Sequence, residues 1–367
     1  MYETLVILII TALACSLIGS FLVLRNLSMV SDAISHAVLL GIVIAYFITR
    51  DVNSPFLIIG AGIFGVITVF CIDMLLKSKL VKEDSATGII FSLFFSIAVI
   101  IISKYARNVH IDIDTVFMGE IIYAPLNTMS VFGISISKSL FYLSIMLLLN
   151  LLFIIIFYKE LKITTFDAGH AMLSGFSLTL IYYILMTLVS TTAVAAFDAV
   201  GAILVVSFLI VPASSAYLIC KKLSSLLILT VIYAIFNSLV GFWLALYFNV
   251  NISGMCAFIA GLSFLITLIF NKNGLVNAMI KRIKQKNEFE RQLLLFHLEN
   301  HHNSIIENGY STIGNHINWS NHKLNRHITY LLTNEYIQKD DERKIYILTE
   351  NGFEENRKIR KIYDVNI

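Results

Sequence analysis

The hydrophobic positions of this chain fall in long blocks, not at the spacing of a single buried helix face. Nine blocks stand out, near 4–24, 28–49, 54–76, 86–103, 139–158, 173–191, 198–219, 225–248 and 253–271. Each approaches the roughly 20 residues that a helix needs to cross about 30 Å of hydrocarbon. Inside a bilayer the backbone must satisfy its own hydrogen bonds, so such blocks are read as helices. Between the fourth and fifth blocks lies a long connection, 104–138, in which His110, Asp112, Asp114 and Glu120 alternate with apolar residues. It is either an ordinary loop or a segment lying on or dipping into the membrane.

After residue 271 the pattern changes. Lys281, Arg282, Lys284 and Lys286 form a basic run suited to an anionic lipid surface. Beyond it the polar and apolar positions predict helix (288–301), helix (311–317), helix (320–334), a hairpin (336–348) and a closing helix (349–362). The hairpin turn is expected at Lys339–Arg343, and Thr349-Glu350-Asn351-Gly352 as the start of the last helix. Helix-turn-helix followed by a β wing is a winged-helix order. The fold class expected is therefore an all-α polytopic membrane protein, of about eight or nine spans, with a C-terminal cytosolic winged-helix domain.

Composition agrees with that class. Of 367 residues, 57% are hydrophobic and only 14% charged, too few charges to cover a soluble fold of this size. The net charge of +3 is too small to argue for nucleic acid. Cys15, Cys71, Cys220 and Cys256 are far apart, with no CxxC spacing, and are read as small apolar residues. The first block lacks a basic leader and a clear cleavage site, so it is read as a retained span.

Loop charges suggest the orientation. With the N-terminus outside, the inner loops hold Arg25, then Lys77, Lys79 and Lys82, then Lys159 and Lys162, then Lys221 and Lys222, with Lys272 at the start of an inner C-terminus. Reversal would place each of these clusters outside.

Ionisable groups within the hydrocarbon cost about 2.5–3.5 kcal/mol each on insertion scales, so they are the first candidates for function. Asp32 and His36 are four apart in the second block and share one helix face. A carboxylate with an imidazole suits manganese, iron or zinc better than calcium or magnesium. Ser31 and Ser35 are candidate supports for these ligands. A helix-packing pair without metal fits the same spacing. Asp198 is expected to open the seventh block, where a helix N-terminus favours a carboxylate. Asp73 is expected near the inner end of the third. The segment Thr165 to Gly175 reads as a short, polar-fronted helix between two spans, ended by glycine, fit for docking a partner or for simple connection.

Taken together these segments resemble the permeases of ABC importers for manganese, zinc and iron, over about residues 5–271. The run Asp32–Gly41 is similar to the family's signature, with Leu40 where the family often has proline. Lys82–Ser92 looks like a second motif, and Val200–Val206 running on to Pro212-Ala213 like a third. The resemblance implies that Asp32 and His36 contact the transported metal. It also implies that Phe166, Asp167, Ala168, Gly169, His170, Ala171, Met172, Leu173, Ser174 and Gly175 form the ATPase-coupling segment. Here Gly169-His170 stands where an acidic residue is usual. The domains would be a permease (1–275), a basic linker (276–286) and a winged-helix-like tail (287–367). The implied partners are a separate ABC ATPase subunit, an extracytoplasmic metal-binding lipoprotein and a second permease copy, in a bacterial plasma membrane. No cofactor is bound permanently; manganese, zinc or iron is cargo. No GxxxxGK[ST] run occurs, so ATP hydrolysis of that type is expected from the separate subunit. A permease for a metal chelate and a membrane-tethered metal-responsive regulator are the alternatives.

The tail resembles the winged helix of iron- and manganese-dependent repressors. Its candidate reading helix, Asn321–His327, has few fixed charges, and Asp340, Asp341 and Glu342 at the wing would repel phosphate, which argues against DNA. His297, His301, His302, His316, His322 and His327 make it His-rich. His297 and His301 share a face that suits a metal, and solvated histidines fit equally.

Overall fold

The computed structural model describes residues 1–50, 54, 56–105, 121–131, 134–271, 274–302 and 304–363. His110, Asp112, Asp114, Glu120 and Lys272, weighed above for orientation or chemistry, lie outside the described residues. The chain divides into two compact units, Met1–Gly274 and Leu275–Ile367.

Among the described residues of the first unit, nine helices are long and apolar enough to cross a membrane. They are α1 (Tyr2–Leu24), α2 (Ser28–Thr49), α3 (Phe56–Lys77), α4 (Glu83–Tyr105), α5 (Lys138–Ile156), α8 (Leu178–Val200), α9 (Ala202–Ile219), α10 (Leu223–Phe248) and α11 (Ile252–Phe270), with short helices α6 (Tyr158–Phe166) and α7 (Ala168–Leu173) between α5 and α8. The hub is α1, the most buried of the nine, which packs against α9, α10, α5 and α8. One apolar core runs through it from Ile7, Ile18 and Phe21 to Leu185, Leu204 and Phe208. The helices α2, α3 and α4 lean on one another, and α3 joins them to α8. Between membrane helices there is little hydrophobic drive, so small residues that let backbones approach decide where helices cross. A Cβ built on Gly41 would lie 2.5 Å from the Gly60 carbonyl oxygen, and one on Gly60 would lie 2.7 Å from the Ala45 methyl. Outward faces carry exposed Ile97, Ile100, Leu148, Ile155, Trp243 and Phe258, the surface that acyl chains cover.

Two expectations change here. The sixth span runs from 178 to 200, not from 173 to 191. Ser177 caps its start by accepting from the Leu180 N–H (3.3 Å), and Gly201, at φ 80°, breaks the chain before α9. Asp198 therefore sits in the last turn of α8 and does not open the next helix. Its carboxylate faces the unfavourable end of that helix dipole, with Lys138 of α5 near enough to act on it. The connection after residue 120 is also more ordered than expected. A 3₁₀ turn (Ala124–Leu126) leads into an antiparallel hairpin, β1 (Thr128–Val131) and β2 (Ile134–Ser137), in register Thr128 with Ser137. Ser137 Oγ donates to the Ala124 carbonyl at 2.8 Å, tying hairpin to turn. The four cysteines are free thiols, Cys15 and Cys256 buried.

The second unit starts on α12 (Leu275–Asn300) and continues through α13 (Ile313–Ile317), α14 (Asn321–Thr333), β3 (Ile337–Asp340), β4 (Ile345–Leu348) and α15 (Glu350–Tyr363). The basic run at 276–286 is thus helix, continuous to residue 300. Its lysines and glutamine are good helix formers, and no glycine or proline interrupts 275–300. The strands pair Ile337 with Leu348 and Asp340 with Ile345. Thr349 Oγ1 accepts from the Gly352 N–H (3.2 Å) and so caps α15. Leu294, Leu298, Ile313, Leu324, Leu331 and Ile359 form the core.

His327 is not solvated. Its side chain is 2% exposed, and Nε2 lies 3.0 Å from Glu290 Oε2, while Lys323 Nζ lies 2.8 Å from Glu290 Oε1. Burial pushes the His327 imidazole below its ordinary value of 6.5, against the pull of Glu290. Burial alone would raise the Glu290 carboxyl, yet its bonds to Lys323 and His327 hold it below its ordinary 4.5. Both groups bind fewer protons folded than unfolded, so stability rises with pH. The His327 share is present above pH 6.5 and is lost as pH falls through its lowered folded value. The Glu290 share is lost further down, below 4.5. Hydrogen exchange of tail amides in the full chain should therefore speed up between pH 7.5 and 5 after correction for intrinsic exchange, and less so in His327→Leu. A corrected rate independent of pH in the wild-type protein would contradict this account.

Candidate metal pair and coupling segment

Helix α2 offers two faces. Ile34 and Val38 turn into the core, and Leu39 and Leu40 pack with Ala98 of α4. Leu40, at the position of the family's proline, lies in unbroken helix. Asp32 and His36 lie on the more open side. His36 Nε2 is 3.6 Å from Asp32 Oδ1, with side chains 26% and 53% exposed respectively. That separation sets two donors of different chemistry toward the same space. Two rings of α4 bound it: the Phe91 centroid is 4.7 Å from that of His36, and the Phe95 centroid is 5.7 Å away, edge on. An aromatic wall restricts the imidazole and lowers water access, which strengthens a metal–ligand contact formed there. Ser31 and Ser35 turn their hydroxyl protons to their own helix, donating to the carbonyls of Ser28 and Ser31, each at 2.8 Å. No group of three His, Cys, Asp or Glu side chains gathers among the described residues, so the pair supplies two donors.

Phe91 was legible within the Lys82–Ser92 motif, though not as a neighbour of His36. Phe95, one turn further along, was missed; the i, i+4 aromatic spacing was the available signal. Asp73 lies near the end of α3 as expected, 2.8 Å from Lys77 Nζ and accepting from the Tyr183 hydroxyl at 3.0 Å.

The stretch from 158 to 175 is two helices. Asp167 ends α6 and caps α7, accepting from the His170 N–H at 2.8 Å. Phe166 and Asp167 thus precede α7, Ala168 to Leu173 form it, and Ser174 and Gly175 (φ 81°) close it. Of residues 166–175 only Ala171 is buried; Phe166, Met172 and Leu173 are 60%, 67% and 89% exposed. Large apolar side chains held outward on a capped helix, beside polar Asp167 and His170, make a surface that a protein partner can cover.

Among the described residues, nine long apolar helices, an ionisable pair inside one of them and a short capped helix between two others make an arrangement that fits a transport subunit. The ABC 3 transport family matches residues 1–271, and the chain belongs to that family. It is the membrane permease subunit of an ABC transporter, a transport protein and not an enzyme. It is 40% identical over 282 residues to the manganese transport system membrane protein MntD of Bacillus subtilis (strain 168), covering 76% of this chain and 95% of that one. It is 38% identical over 354 residues to the zinc transport system membrane protein TroD of Treponema pallidum (strain Nichols), covering 95% and 96%. That second alignment includes the tail. The structure of PsaBC from Streptococcus pneumoniae in complex with Fab superposes with a TM-score of 0.63 at 29% identity, over 76% of this chain and 94% of that one.

Proposed function

We propose that the chain imports manganese or zinc across a bacterial plasma membrane, with Asp32 and His36 as the protein ligands that the ion meets within the bundle. The observation that carries this reading is the pair itself: a carboxylate and an imidazole 3.6 Å apart on one face of a spanning helix, walled by Phe91 and Phe95. Such a pair is costly in hydrocarbon unless an ion or a water-filled path uses it. Two protein donors leave an ion part of its water shell or a second permease copy to complete coordination, and weak holding of this kind suits release as much as capture. MntD and TroD, named for manganese and zinc, support this choice of cargo.

In the proposed cycle a metal-binding lipoprotein delivers the ion to the outer face of a permease homodimer, with N-termini outside and C-termini inside. A separate ABC ATPase docks on residues 166–175, and its closure drives the site between outward- and inward-open states. The exposed Met172 and Leu173 are the contacts for that subunit. Met172→Asp with Leu173→Asp is expected to cut the co-purifying ATPase by about tenfold, since a few central residues carry most of an interface's energy and a buried unpaired carboxylate is costly. Wild-type recovery of the ATPase would remove 166–175 from the interface.

The tail is read as a regulatory winged helix acting on protein, not on DNA. His327 of the candidate reading helix is committed to Glu290, and the wing carboxylate of Asp341 accepts from the Tyr310 hydroxyl at 3.1 Å.

Uptake of manganese and zinc by the assembled transporter, with and without the Asp32 and His36 side chains, tests the reading.

A further inference from the structure

One charged side chain in the loop between α1 and α2 has no part in the cycle so far. Arg25 follows α1 directly as its C-cap residue. Its Nη2 donates to Thr164 Oγ1 at 2.8 Å and its Nε to Thr165 Oγ1 at 3.1 Å. Both threonines belong to the last turn of α6, immediately before Phe166 and the capped, exposed α7. In the other direction, Asn26 and Leu27 alone separate Arg25 from Ser28, the first residue of α2, and Asp32 follows one turn later. One guanidinium therefore joins the segment that leads into the proposed docking helix to the segment that leads into the proposed metal pair.

The chemistry suits a mechanical joint. A guanidinium is planar, so two donors aimed at two neighbouring hydroxyls fix orientation as well as distance. Thr164 is buried, and its hydroxyl proton goes to the Glu160 carbonyl at 2.7 Å, which leaves its lone pairs facing Arg25. The surroundings disfavour an anion-binding role. Arg25, Asp73, Lys77, Tyr182 and Tyr183 line a cavity of 330 Å³ at this end of the bundle. Both cations on its wall are already partnered, Lys77 by Asp73 and Arg25 by the threonines. The cavity gives the joint room to shift without prying core side chains apart.

We infer that Arg25 clamps the coupling segment to the start of α2 and transmits its motion to Asp32 and His36. It is a positioning residue, not a ligand. The inference rests on the transport reading above, because it presumes that 166–175 receives the ATPase and that the pair meets the ion.

The test uses the full transporter, with its ATPase and binding protein, in proteoliposomes. Two quantities are read per assembled complex: metal uptake, and the stimulation of ATP hydrolysis by metal-loaded binding protein. Arg25→Gln is expected to lower both by about tenfold, within the usual range of coupling between sites, while the ATPase stays bound at the wild-type ratio. Thr164→Val with Thr165→Val, which keeps shape and removes both hydroxyls, should reproduce that loss. Thr164→Ser with Thr165→Ser, which keeps the hydroxyls, should restore most of the stimulation. Adding Arg25→Gln to the valine pair should cost little more, since both changes break one contact. Wild-type stimulation in Arg25→Gln overturns the clamp. So does a serine pair as impaired as the valine pair, or a fall in assembled complex with stimulation per complex unchanged. His36→Ala run alongside separates the two readings. If it transports normally, the metal-pair assignment falls and the clamp is judged on stimulation. If it fails while Arg25→Gln couples normally, the clamp alone falls.

Discussion

Replacing His36 or Asp32 with alanine should abolish metal uptake while leaving folded permease at wild-type level. Both side chains lie on the open side of α2, at 26% and 53% exposure, so their removal leaves no filled core behind. Each substitution also removes an ionisable group from the span, a change that favours insertion, by about 2.5–3.5 kcal/mol for an aspartate at the helix centre. A fall in stability is therefore not expected, and lost uptake reports on the ion path. If the pair holds the ion as proposed, the loss should reach at least about a hundredfold, the upper end of what losing even a supporting outer-shell partner costs in metal affinity. His36→Gln, which keeps a polar group without an imidazole, should transport no better. Metal accumulation within a fewfold of wild type in Asp32→Ala and His36→Ala would remove the pair from the ion path.

The second large effect is expected at Gly41. Its Cα faces the Gly60 backbone so closely that even one added carbon would lie 2.5 Å from that carbonyl oxygen. Neither partner is a flexible side-chain tip, and the two helices must part to admit a side chain. Overpacking of a tight contact costs about 1–3 kcal/mol when side chains can yield, and more when backbone must move. Gly41→Leu should thus lower the yield and thermal midpoint of the detergent-solubilised permease sharply, and Gly41→Ala by less. Gly88, with nothing within 4 Å of an added Cβ, is the control position and should accept alanine without such loss. Equal melting of Gly41→Leu and wild type would contradict the close crossing of α2 and α3. Because α2 also carries Asp32 and His36, folded Gly41→Ala protein should show weakened uptake.

How much of this was legible in the sequence follows from what each signal encodes. Block length and apolarity are local properties, and they located eight of the nine long apolar helices among the described residues to within a few residues. The error at the sixth span has a specific origin. Met172 and Leu173 are apolar and adjoin the next block, so hydropathy alone joined them to it. The capping of α7 by Asp167 and of α8 by Ser177 is what parts them. Asp198 was misread for a related reason: the breaker is Gly201, three residues further on. The Asp32 and His36 spacing predicted a shared helix face, and the structure has them on one. Their aromatic wall comes from α4, fifty-five residues or more away along the chain, and sequence spacing carries no such information. The Arg25 clamp joins residues 139 and 140 apart and was equally invisible. In the tail the periodicities gave the order of elements, yet His327 looked like any surface histidine until Glu290 of α12 was packed beside it.

The central claim is that this permease carries a divalent transition metal along a path that includes Asp32 and His36. Its most direct test is accumulation of manganese, zinc and iron in bacterial cells stripped of their own importers. The chain would be expressed with its ATPase and binding protein, and assembly confirmed by co-purification. The account predicts ATP-dependent accumulation of manganese or zinc that disappears in His36→Ala. An assembled complex that accumulates none of the three metals above background would contradict it.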